Sequence, residues 1–187
     1  VIGVAKTPSP ASVPEPGATV VFTVTVANLG VESVTLESLG DDVFGDLLDP
    51  GNPRLAANTC PGALPEILAG GALTCSFEAF VAGDAAGPAH TDTVSAIAAD
   101  DDGNRALAQA TAQVSFSDVL PAIEAAKTPS VAAVAEPGAT VSFLVEVPNA
   151  GVEAVTLTAL ADDVFGDLLD PGNPLVSGEG TDNKLEP

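Results

Sequence analysis

The chain contains no tryptophan, tyrosine or methionine, and has one histidine, two cysteines and five basic side chains among 187 residues. Against those five stand 26 acids, a formal charge of −21. A field of that sign repels phosphate backbones and anionic lipid heads, so neither nucleic acid nor a membrane surface is an expected partner. No apolar stretch approaches the ~20 residues that a membrane-crossing helix needs, and membrane insertion is not expected either. All seven aromatic residues are phenylalanine, which leaves no indole or phenol for stacking on sugars. A glycine-rich phosphate loop is also missing. His90, Asp92 and Ser95 lie near one another, but on a strand positions 90 and 92 share a face while 95 points to the other. A nucleophile, base and orienter therefore do not converge there, and the sequence reads as non-enzymatic. It opens without methionine and reads as a segment of a longer protein.

What is present is apolar mass of small size. Hydrophobic residues make up 46 % of the chain, chiefly Ala, Val and Leu, too many for a disordered acidic tail. Val20, Phe22, Val24 and Val26 interleave with Val21, Thr23, Thr25 and Ala27, the period of a strand with one buried face. Residues 73–81, 94–98 and 106–116 alternate in the same way, the last following the turn dipeptide Asp102-Gly103. Residues 31–39 come after the turn Asn28-Leu29-Gly30 and are predicted to pair with 20–28 as a hairpin. Short runs at 2–6 and 54–60 bring the expectation to about seven strands per unit. Residues 42–49 form the one helix-like window, a single turn with an Asp cap. Sixteen prolines and eighteen glycines fall mainly between the runs. Many short strands with frequent breakers and little helix predict an all-β fold, an antiparallel immunoglobulin-like β-sandwich.

The sequence also repeats itself. A shift of 121 positions brings Lys6-Thr7-Pro8-Ser9 onto Lys127-Thr128-Pro129-Ser130, and Glu15-Pro16-Gly17-Ala18-Thr19-Val20 onto Glu136-Pro137-Gly138-Ala139-Thr140-Val141. Of residues 1–53, 38 are identical in residues 122–174, and the stretch from Asp41 to Pro53 is identical throughout. Such a period is one whole domain rather than a solenoid repeat. The expected organisation is a complete β-sandwich repeat over 1–120, the first half of a second over 121–174, and a tail or linker over 175–187. Half a sandwich exposes an apolar face and an open edge, so the second unit is expected to self-associate with another copy, or to have a structural boundary different from the repeat boundary.

The order Ala5-Lys6-Thr7-Pro8, Glu15-Pro16-Gly17, the 20–28 strand, Val34-Thr35-Leu36, Asp41-Asp42 and paired cysteines resembles the tandem immunoglobulin-like repeats of large bacterial secreted or cell-surface, adhesin-like proteins. The resemblance implies a structural stalk or spacer module, outside the cell or on its surface, whose partners are neighbouring repeats of the same chain. The alternative is a module whose loops bind a protein or glycan.

Three groups of residues bear on chemistry. Cys60 and Cys75 are too far apart for a zinc knuckle; as a disulfide they close a loop of about 15 residues and point to an exported protein. The acids gather as Asp41, Asp42, Asp46 and Asp49, as Asp100, Asp101 and Asp102, as Asp118 between the repeats, and as Asp162 and Asp163 in the second unit. Calcium takes oxygen ligands, and these loops are the candidate calcium sites, although none has EF-hand spacing; the alternative is solvated turns and caps. Lys6 sits among apolar neighbours, as does Lys127. An ion pair with a carboxylate is the expected arrangement. The covalent alternative is an isopeptide bond from Lys6 to Asn28, with Glu15 or Glu32 as proton shuttle.

Overall fold

The computed structural model describes residues 1–176 and 184–186. The described residues are all-β, with no helix, in several sheets that are mostly antiparallel. The chain divides into two compact units, Val1–Asp118 and Val119–Pro187.

In the first unit, strands β1 (Ile2–Ser9), β3 (Gly17–Asn28) and β7 (Ala72–Ala82) make a three-stranded antiparallel sheet in the order β1-β3-β7. The second sheet has six strands. β9 (Arg105–Ser117), β8 (His90–Ala99) and β4 (Val34–Asp41) form its antiparallel centre. β2 (Ser12–Pro14) adds to β9 in parallel, while β5 (Gly45–Asp46) and β6 (Glu66–Ile67) pair with β4. The inward faces of both sheets meet in one hydrophobic core, an arrangement consistent with a β-sandwich. Phe22, Phe77, Leu36, Leu39 and Leu47 are fully buried in it, each worth roughly 1.5–3 kcal/mol of burial free energy.

The alternating runs become strands as expected, with Val20, Phe22, Val24 and Val26 inward from β3 and Val94, Ala96 and Ala98 inward from β8. The predicted hairpin does not form: β3 belongs to one sheet and β4 to the other. Both edges of β3 are taken by β1 and β7, and Asn28 fixes the crossing. Its Oδ1 accepts from Gly30 N (2.9 Å), and its Nδ2 donates to Glu32 O (2.7 Å) and Ile67 O (3.0 Å). Residues 42–49 hold turns and β5 instead of a helical turn, because Asp41 and Asp46 each cap backbone N–H groups two or three residues on. The run at 54–60 lies along the free edge of β7 as a bridged loop; Ala56 and Glu78 exchange backbone hydrogen bonds of 2.8 and 2.7 Å. Gly17, φ +140°, lies so close to β7 that a Cβ there would stand 2.2 Å from Val81 O.

The second unit holds shorter pieces. β10 (Ala126–Pro129) pairs with β11 (Phe143–Glu146), β12 (Val155–Thr156) with β15 (Lys184–Leu185), and β13 (Ala161–Asp162) with β14 (Gly166–Asp167). Of the tail at 175–187, residues 177–183 and 187 lie outside the described residues.

Candidate functional site

The most unusual chemistry in the first unit lies in its core. Ile2, Val4 and Lys6 share the inward parity of β1, which sends Lys6 between the sheets with its side chain wholly covered. Its Nζ stands 2.6 Å from Asp41 Oδ2 and 2.6 Å from Asp92 Oδ1, both on the opposite sheet and both fully covered. Three phenylalanines close the space around it, with Nζ 4.3 Å from the Phe22 ring centroid, 5.1 Å from Phe44 and 5.4 Å from Phe77. The rings also touch one another, Phe22 to Phe77 at 5.3 Å and Phe44 to Phe77 at 5.5 Å.

Each carboxylate is aimed by a different local device. On β8, strict alternation from Ala98 back through Ala96 and Val94 makes Asp92 an inward position. On β4 the parity of Val34 and Leu36 would turn residue 41 outward. A β-bulge between Leu36 and Ser38 shifts the register, and Leu39 and Asp41 face the core instead. Asp41 is then clamped, its Oδ1 accepting from Val43 N (3.0 Å) and Phe44 N (2.9 Å) and its Oδ2 from Lys6 Nζ. Asp92 Oδ2 is 3.0 Å from His90 Nε2, whereas Asp92 Oδ1, for all its closeness to Nζ, accepts no hydrogen bond among the described residues. A cation and two carboxylates thus sit out of water, an arrangement that is costly unless each charge is matched.

Lys6 therefore has the expected carboxylate partners, and they are Asp41 and Asp92. Asn28 is not beside it: in the β1–β3 register Asn28 lies opposite Ile2, while Lys6 lies opposite Val24. Glu15 is buried at another place, its Oε2 accepting from Ala85 N at 2.6 Å. Asp92 had a legible signal, the alternation of β8, but its neighbours His90 and Thr91 make it look like a polar strand start. Asp41 needed the bulge, which no local pattern announces.

The remaining acids are spread over turns. Asp42 Oδ1 accepts from Thr93 N (2.7 Å), Asp46 Oδ1 from Leu48 N (2.9 Å) and Asp49 Oδ1 from Gly51 N (2.8 Å). Asp100 closes the β8–β9 turn through Asn104, whose side-chain and backbone donors hold its carboxyl below the ordinary value; Asp102 is exposed in the same turn. The Asp118 carboxyl is pushed up, chiefly by its hydrogen bond with the Glu15 carboxyl. Asp162 in the second unit meets Lys127 and caps Val164 N (2.9 Å) and Phe165 N (3.1 Å), and the Lys127 hydrogen bond lowers it to about 2. Asp163 is exposed. Among the described residues no three His, Cys, Asp or Glu side chains are grouped to hold a metal ion.

Cys60 and Cys75 form a disulfide with Cα atoms 4.8 Å apart, joining the 54–60 loop to β7. Thr59 reinforces the same contact by donating from N (2.8 Å) and Oγ1 (3.0 Å) to Ser76 O. No protein-family model and no curated protein matches the chain.

Proposed function

We propose that the chain is a structural, non-catalytic module of a bacterial extracellular or cell-surface protein, in which tandem immunoglobulin-like β-sandwiches serve as stalk or adhesin spacer. The observation that carries this reading is where the ionic chemistry lies: Lys6, Asp41 and Asp92 are fully covered between two sheets, so they hold layers together and meet no substrate. The Cys60–Cys75 disulfide supports an oxidising, exported setting. The repeat, 38 of 53 aligned residues identical, supports a string of similar modules, each having neighbouring repeats as partners.

Binding to arrays of glycans and matrix proteins tests the reading. Silence across the arrays at micromolar protein is the expected outcome; a saturable hit lost on mutation of a loop would make the module a receptor. Calcium in the acidic loops is tested by a chelator. A melting temperature that falls by several degrees and returns only with calcium supports the ion as stiffener, and an unchanged one removes it.

A further inference from the structure

We propose that Lys6 and Asp92 condense to an intramolecular amide that covalently joins the two sheets, with Asp41 as the proton relay. The two contacts of Lys6 Nζ differ in kind. Its 2.6 Å approach to Asp41 Oδ2 is a directed hydrogen bond, the geometry for handing over a proton. Its equally short approach to Asp92 Oδ1 is an ion pair without hydrogen-bond direction, and that wholly buried oxygen accepts no hydrogen bond among the described residues. Once deprotonated, an amine held 2.6 Å from Oδ1 off the hydrogen-bond axis has its lone pair free to turn to the adjoining carbon, Cγ.

The surroundings fit the reaction. Asp92 Oδ2 is 3.0 Å from His90 Nε2; with the ring proton on Nε2, His90 donates to the oxygen that remains as the amide carbonyl. Asp41 is held still by the Val43 and Phe44 N–H groups, so its Oδ2 stays on Lys6. Phe22, Phe44 and Phe77 exclude the water that would reverse the bond. Two protons leave the Lys6 ammonium by way of Asp41 Oδ2 and end on Asp92 Oδ1. The nitrogen lone pair adds to Asp92 Cγ, the Cγ–Oδ1 bond breaks, and that oxygen departs as water. Ammonium plus carboxylate gives amide plus water, and no oxidant or co-reactant enters. The step removes one buried charge of each sign, and rigid placement supplies effective molarities of about 10^5 to 10^8 M for such reactions.

Intact mass of the reduced, denatured protein is the test. One water less than the sequence mass is expected, and digestion should release a branched peptide joining the Lys6 and Asp92 segments. Lys127 has no Asp92 counterpart in this chain and should remain a free amine, so that one water is lost and not two. Asp92→Asn should still condense, with ammonia leaving in place of water, whereas folded Asp41→Asn should keep its full mass. The full sequence mass in the unmodified chain, or a branched peptide joining Lys6 to Asp41, overturns the proposal. A folded Asp41→Asn chain that condenses as readily overturns the relay. The unmodified chain decides even where a variant does not fold.

Discussion

The two units carry the same local sequence and reach different ends. Lys127 meets Asp162 as Lys6 meets Asp41, and Asp162 caps Val164 and Phe165 as Asp41 caps Val43 and Phe44. Asn173 donates to Phe165 O and Asp167 O as Asn52 does to Phe44 O and Asp46 O. Lys127 also lies over Phe143 and Phe165, 4.6 and 5.0 Å from their centroids. Yet Phe143 is 42 % exposed where Phe22 is covered completely, and the Lys127 side chain is 37 % exposed where that of Lys6 is not exposed at all. Turns, caps and a lysine–aspartate contact are thus written into some fifty residues, and need nothing distant. Burial is not: it depends on β7, β8 and β9, which supply Phe77, Asp92 and the facing sheet to the first unit only. The same pair is accordingly a core element in one place and a partly open surface ion pair in the other.

Substitutions made in matched pairs sharpen this contrast. The largest expected difference is between Phe22→Ala, which should cost about 3–5 kcal/mol in urea unfolding of the first unit, and Phe143→Ala, where the half-exposed ring leaves far less to lose. Equal costs would mean that the second unit has a core of its own. Next come the glycines of the two Glu-Pro-Gly segments, with φ +140° at Gly17 and +129° at Gly138. Alanine is strained at both, by roughly 1 kcal/mol, but only at Gly17 does the new Cβ also strike backbone, at Val81 O. Thermal melts should therefore show Gly17→Ala as the more damaging. The smallest effect is electrostatic. The Lys127 hydrogen bond holds the Asp162 carboxyl at about 2, below its ordinary 3.8, so the contact stabilises the folded unit above the ordinary value and that contribution is lost as pH falls toward about 2. Carboxyl-carbon NMR should find Asp162 titrating near 2, and Lys127→Ala should move it up toward 3.8; an unmoved titration would put the cause elsewhere.

The sequence made much of the fold legible, and the reason lies in its periods. Alternation in residues 20–28, 94–98 and 106–116 is a backbone property that survives into the sheets, as β3, β8 and β9 bear out. The hairpin expected after Asn28 failed because a turn signal says that the chain reverses, not which sheet receives it. The parallel strand β2 and the two-residue β6 are too short for any period to register. In the core site, Lys6 stood out as a cation among apolar neighbours. Its partners came from 35 and 86 positions away, one of them through a bulge that reverses the face of β4, and only the packed sheets bring them together.

Hydrogen exchange of the intact chain compares the two units within one sample, because residues 20–28 and 141–149 are counterparts with the same strand pattern. Burial supplied by β7–β9 predicts slow exchange along β3, and exchange many times faster through 141–149. Equal, strong protection of both segments in a strict monomer would contradict it, since the second unit would then be building a closed core from half a repeat.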